Sequence, residues 1–206
     1  RAIRSARNNL KGLGATAKSV MGTLGVGIGV SAFTRLANDA IQYGSAITDA
    51  AVATRVGVEE YQVLKYAAQK AGAQMQTVTL ALSKTQKAAN DASNGLSTYT
   101  RAFDALGINV EKFKQLSPER QMEALGRAMV NSKDQASAYA YVLDIIGSRN
   151  APKLMEVLRD LGTQGFDVMA ASAKNAGQVM SQETAESLDR AADAVARLKT
   201  QMTIAT

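Results

Sequence analysis

The sequence predicts an all-α protein. An N-terminal long helical, coiled-coil-like arm occupies residues 1–30, and a multi-helix bundle of short helices occupies residues 31–206. Three observations predict it. Alanine fills 37 of 206 positions and proline two, so the best helix former is abundant and the strongest helix breaker nearly absent. Apolar residues recur at helical spacing in segment after segment. No stretch alternates apolar and polar residues in the manner of a strand.

The arm comes first. Ile3, Leu10, Ala17 and Leu24 lie seven apart, and Ala6, Leu13, Val20 and Gly27 repeat that spacing with an offset of three. Together they form an a/d seam suited to helix-on-helix association, with Ile3, Ala6, Leu10, Leu13, Ala17 and Val20 as its candidate self-association residues. The small members of the seam do not choose between two, three or more strands. Arg1, Arg4, Arg7, Lys11 and Lys18 fall mostly on other faces, and are the candidate contacts for an anionic partner.

From Val20 to Phe33 the chain reads VMGTLGVGIGVSAF, uncharged and apolar, with Gly22, Gly25, Gly27 and Gly29. This is shorter than the ~18–20 residues that span a bilayer. Gly25 and Gly29 make one GxxxG, a spacing that permits close helix approach. Each glycine weakens a helix in water by roughly 1 kcal/mol relative to alanine. A flexible break between helices, a close-packed or membrane-active helix, and a phosphate-cradling loop are the three readings. The last is the weakest, because neither GxGxxG nor GxxxxGK[ST] is present and no strand pattern precedes the glycines.

The bundle follows, one segment at a time. A helix from Ser31 to about Arg55 carries Phe33, Ala40 and Ile47, and Leu36, Tyr43 and Ala50, with Gly57 as its break. A helix from Val58 to Ala71 buries Tyr61, Leu64 and Ala68, and Gly72 closes it. The next runs from Gln74 to about Asn90 with Met75, Val78, Leu82 and Ala89 inside, ahead of a turn over residues 91–95. Residues 98–106 carry Phe103 and Leu106 and stop at Gly107; residues 110–116 form another short piece. Ser117-Pro118-Glu119 is a strong helix start, with serine at the N-cap, proline in the first turn and an acid near the positive end of the dipole. That helix buries Met122, Leu125 and Met129. Residues 134–146 repeat Ala138, Val142, Leu143 and Ile146 before Gly147. Pro152 opens a helix with Leu154, Val157, Leu158 and Leu161, ending at Gly162. Residues 165–176 carry Phe166 and Met169. Ser181 caps the last helix, where Glu183 and Glu186 face the dipole and Leu188, Ala192, Val195 and Leu198 form the apolar stripe. The short connections favour antiparallel neighbours.

Composition removes several chemistries. The chain has no Cys and no His. Disulfides, thiolate metal sites, cysteine nucleophiles and the Ser-His-Asp triad are therefore excluded, and no cofactor or metal is expected. The net charge of +6 lies wholly in residues 1–38, which hold six basic residues and no acid; residues 39–206 hold 18 of each sign. The bundle thus needs no nucleic acid to balance it, and the excess belongs to the arm, whose cations form either a solvated rod face or contacts to an anionic partner. Paired carboxylates are the remaining catalytic possibility. Glu59 and Glu60 diverge on a helix, and Glu183, Glu186 and Asp189 share one solvated face, so no pair is spaced across a cleft as glycoside hydrolysis requires. The tyrosines Tyr43, Tyr61, Tyr66, Tyr99, Tyr139 and Tyr141 lie away from the basic arm, which favours core or groove packing over base stacking. No secretory signal pattern is visible, and a chain starting at Arg1 is expected to be a piece of a longer or processed one.

Several stretches, in order, resemble one family. They are RVGVEEYQVLKYAA from Arg55 to Ala68, AFDALGI from Ala102 to Ile108, LSPE from Leu116 to Glu119 with Ala124-Leu125, VLDIIGS from Val142 to Ser148, APKL from Ala151 to Leu154, and VMSQE from Val179 to Glu183 leading into residues 191–199. In sequence and spacing the chain resembles the tail tape measure proteins of long-tailed bacteriophages and prophages over roughly residues 40–200. Ile145-Ile146 departs from that pattern, where an aromatic often stands, as does Asn150 in place of a small residue. The resemblance implies a non-enzymatic structural protein of the virion. Such a protein sets tail length inside the tail tube and assists DNA ejection into the host. The implied partners are further copies of itself, as a homo-oligomer such as a trimer, the tail tube and tail tip proteins, the host membrane, and DNA without sequence specificity. The implied location is the lumen of the tail, after assembly in the host cytoplasm. The other readings are a membrane-active or pore-lining protein using residues 20–33, and, more weakly, a carboxylate-based muralytic enzyme.

Overall fold

The computed structural model describes residues 30–147 and 152–204. Among them are ten α-helices and no strand, in agreement with the all-α expectation. The arm, with its seam of Ile3, Ala6, Leu10, Leu13, Ala17 and Val20, its glycines Gly22, Gly25, Gly27 and Gly29, and its cations Arg1, Arg4, Arg7, Lys11 and Lys18, lies outside the described residues.

The chain divides into two compact units, residues 1–40 and residues 41–206. Of the first, the described part is helical from Val30 to Ala40, and Arg35, Asn38, Asp39 and Ala40 are exposed. The second unit takes in the rest of α1 (Val30–Thr54) and nine further helices: α2 (Val58–Ala71), α3 (Met75–Ser93), α4 (Ser97–Ala105), α5 (Val110–Lys114), α6 (Pro118–Asn131), α7 (Gln135–Ile146), α8 (Pro152–Gln164), α9 (Phe166–Asn175) and α10 (Gln182–Ile204).

The most extensive pairing in this unit is between α6 and α8. It is made possible by two glycines. A methyl group on Gly126 would overlap the Leu158 carbonyl oxygen, and one on Gly162 would overlap the carbonyl of Gly126. The two backbones therefore touch where they cross. Around that crossing, Met122, Leu125 and Met129 of α6 meet Leu154, Val157, Leu158 and Leu161 of α8, every one of them buried. Each large aliphatic side chain removed from water contributes roughly 1.5–3 kcal/mol. Gly162 was expected to end its helix. It does not, because the close approach needs it inside α8, which continues to Gln164.

α2 packs against α3, α6, α8, α9 and α10. Its burial is accordingly wider than one face: Tyr61, Leu64 and Ala68 are inside as expected, and so are Val63, Ala67 and Gln62. α3 runs on through Ala92, which is buried in the core, so the turn expected at residues 91–95 shrinks to Asn94 and Gly95. Met75 is only half-buried at the start of that helix. α4 and α5 contact α3 and bring Phe103 and Phe113 edge to face, with centroids 5.1 Å apart and both rings buried. In α7 Ala138, Val142 and Ile146 are buried as expected, Ile145 is buried as well, and Leu143 is half-buried.

Two helix ends differ from expectation in their chemistry. Ser117 has the extended backbone of an N-cap, and Pro118 follows it, but its hydroxyl donates to the Glu119 carboxylate rather than accepting from the backbone. Glu119 is buried and must be given a donor. At the end of α1 the break falls at Arg55, with φ +57°, and not at Gly57. The Val56 N–H bonds to the Ala51 carbonyl at 3.1 Å, which closes the helix in the same way that Ala73 to Ala68 (2.8 Å) closes α2 around Gly72. Gly72 holds this left-handed position without penalty, whereas Arg55 carries a Cβ there.

Ion pairs fasten α9 at both ends. Arg120 on α6 reaches Asp167 at 2.5 Å and Glu123 at 2.8 Å, and Glu123, itself buried, also takes Arg127 at 2.6 Å. Lys174 at the other end meets Glu59 of α2 at 2.8 Å. The hydrogen bond from Lys174 holds the Glu59 carboxyl below its ordinary range, and the Arg120 guanidinium does the same to Asp167.

Three outcomes follow from this packing. Gly126→Ala lowers stability by about 3 kcal/mol, the upper end for overpacking, read as a fall in urea midpoint with an unchanged slope. A loss under 0.5 kcal/mol would mean that the crossing gives way easily. Arg55→Gly raises stability by about 0.5–1 kcal/mol in a thermal melt, because relief of left-handed strain outweighs the added freedom of the unfolded chain. The third outcome is a pH dependence. A carboxylate whose folded pKa is lowered stabilises the fold above its ordinary pKa, and that contribution is lost as pH falls through the folded value. Stability therefore drops on acidification below about pH 4.5, and Glu59→Gln makes that drop smaller. Parallel pH profiles for the two proteins would show that the Lys174 pair contributes nothing.

Candidate functional site

The residues that the sequence singles out for function are those of the arm, Arg1 to Gly29, and they lie outside the described residues. What the second unit offers is a groove of about 420 Å³, lined by Tyr43 of α1, Gln62, Lys65, Tyr66 and Gln69 of α2, and Gly177 to Met180 of the following connection.

The groove is built from the connection inward. Gln62 is buried on α2, and its amide is used completely. Its Nε2 donates to the Met180 carbonyl at 2.9 Å and to the Val58 carbonyl at 3.0 Å, while its Oε1 accepts from the Met180 N–H at 3.0 Å. One side chain thus pairs with both backbone groups of Met180, in the way a neighbouring strand would. The other end of the connection is held by the Gln178 N–H, which bonds to the Ala173 carbonyl at 3.0 Å. The connection is therefore anchored to α9 at Gln178 and to α2 at Met180, and forms one wall of the groove.

The opposite wall is aromatic and cationic. Tyr43 sits at a heptad position of α1 yet is 37% exposed, so its ring faces the groove rather than the core. The Lys65 ammonium lies 4.4 Å from the centre of that ring and donates to the Tyr43 hydroxyl at 3.4 Å. Lys70 stands 5.9 Å from the Tyr66 ring. Cation–π contacts of this kind contribute ~0.5–1 kcal/mol at exposed positions. Where α1 continues past the groove, it comes close to α10 at Gly44. A methyl there would overlap Leu188, and Ser45 donates to Asp189 at 2.7 Å.

Three of the five carboxylates considered from sequence are bonded to a partner. Glu59 is bonded to Lys174, and the Glu60 carboxylate fills the space beside Gly57 where a Cβ would stand. Glu186 accepts from Gln182 at 2.8 Å. Asp189, expected on a solvated face, accepts from Ser45 instead. Ser181 caps α10 as expected, accepting from the Thr184 N–H at 3.3 Å. Among the described residues no group of three or more His, Cys, Asp or Glu could hold a metal ion, and no helix is long and apolar enough to cross a membrane.

Sequence reading missed Gln62, Glu119 and Glu123 as buried polar residues. Gln62 carried a usable signal, since it stands among Tyr61, Val63 and Leu64 where a polar residue interrupts an apolar run. Glu123 carried another: Arg120 and Arg127 flank it at i−3 and i+4, which places both cations on its own face.

Comparison with protein-family models, with curated proteins and with solved structures finds no match to this chain.

Proposed function

We propose that the chain is a structural, non-enzymatic segment of a phage tail tape measure protein. The observation that carries this reading is the ordered resemblance of its sequence blocks over roughly residues 40–200. The positions of those blocks support it. The Arg55 block covers the break after α1 and most of α2; the Ala102 block covers the end of α4. The Leu116 block leads into α6, the Val142 block runs through the end of α7, the Ala151 block leads into α8, and the Val179 block leads into α10. Blocks that fall on the helices and on the breaks between them are what a shared helical architecture would preserve.

In this role the basic arm associates with further copies through its a/d seam, as a homo-oligomer such as a trimer. The protein lies in the lumen of the tail and contacts the tail tube and tail tip proteins. It is assembled in the host cytoplasm and leaves during DNA ejection, when it meets the host membrane and, without sequence specificity, DNA. Length is set mechanically: a helix advances 1.5 Å per residue, so the number of residues fixes the span.

The test is an in-frame deletion of residues 1–28 from the phage or prophage gene, with tail lengths measured by electron microscopy. The tails shorten by about 42 Å, the length of 28 helical residues. Tails of unchanged length would overturn the ruler role for this segment.

A further inference from the structure

The groove beside α2 has a chemical bias that packing does not explain. No carboxylate lines it. Its one cation, Lys65, is half-buried and leans on Tyr43, and among the described residues neither Lys65 nor the nearby Lys70 is paired with an acid. Lys84 and Lys133 of the same unit share this lack of an acid partner; Lys65 differs from them in lining a concave surface. Lys65 holds a positive charge in the lining of a concave surface, where an incoming anion would find it already positioned by the tyrosine ring.

The rest of the lining is neutral and rich in hydrogen-bonding groups. Gln69 and Gln178 are exposed and can each donate and accept. Val179 stands between two anchored residues, and its own N–H and carbonyl have no partner among the described residues. A rigid stretch of backbone with a free donor and acceptor is the element that pairs with an extended peptide. Strands of nucleic acid need a different surface, a row of cations tracking successive phosphates. A single lysine among glutamines and backbone groups suits one carboxylate on a polyamide chain.

We propose that this groove binds an extended acidic segment of a partner polypeptide, with a carboxylate on Lys65 and the segment's backbone along Val179. The proposal stands on the chemistry of the groove alone and does not depend on the tail reading above.

The experiment uses the whole 206-residue chain, labelled with nitrogen-15 and titrated while amide shifts are followed by NMR. The probes are two nonapeptides of serine and glycine, one with a central glutamate and one with a central glutamine. The glutamate peptide binds at least fivefold more tightly and moves the amides of Gln69, Gln178 and Val179. Lys65→Gln removes the difference between the two peptides, Lys65→Arg keeps it, and Lys133→Gln, an exposed lysine outside the groove, leaves it unchanged. Equal affinity for the two peptides, or shifts centred away from Val179, would overturn the proposal. So would a thymidine oligonucleotide that moves the same amides at lower concentration than the glutamate peptide does.

Discussion

The contact of Gly126 with Gly162 sets the geometry of the second unit. Two helices that touch through their backbones cannot slide or rotate without opening a gap or colliding with a carbonyl. That fixed crossing places Leu125, Leu154, Leu158 and Leu161 in one layer, and against this layer α2 presents its apolar residues. Interiors are packed as tightly as organic crystals, so a separation set at one crossing is passed on to its neighbours. Gly165, just beyond α8, continues the same surface. It leaves room for Arg127 and Glu123, and the ion-pair cluster that reaches Asp167 then seats α9.

The groove is a downstream consequence of this arrangement. α9 ends at Asn175, and the chain must return across α2 to begin α10. Gln62 catches that return by pairing with Met180. Burying an amide without partners would be costly, and here every polar atom of the side chain is satisfied by backbone. The price is one polar residue in an apolar run. The result is an ordered wall opposite Tyr43 and Lys65, on a helix that contacts five others of the unit. A concave surface whose cation has no acid partner among the described residues is thus backed by the core through Gln62.

Much of the fold was legible in the sequence because it is punctuated locally. Gly72, Gly107, Gly147 and Pro118 stop or start helices for reasons contained in a few residues, and the structure places the helix ends there. The failures share one physical origin: tertiary contact outranks local preference. Gly162 looked like a stop and is a crossing point, since only the opposing backbone of Gly126 reveals its use. Asp91 and Ala92 looked like a turn and stay helical, since Ala92 has a core to enter. Arg55 takes the left-handed position that Gly57, two residues on, seemed to offer. The groove could not be read at all. Tyr43, Lys65 and Val179 come from three separate stretches, and Tyr43 carried the spacing of a core residue. The functional reading has two sources: the resemblance, which runs over roughly residues 40–200, and the uneven placement of charge, which points to the arm.

Native-state hydrogen exchange on the full chain tests the central claim most directly. If the α6–α8 crossing determines the rest, the amides of Leu125, Met129, Leu158 and Leu161 exchange only through global unfolding, while α9 and α10 open at lower free energy. Exchange of α6 or α8 by local opening, with α9 or α10 still protected, would contradict it.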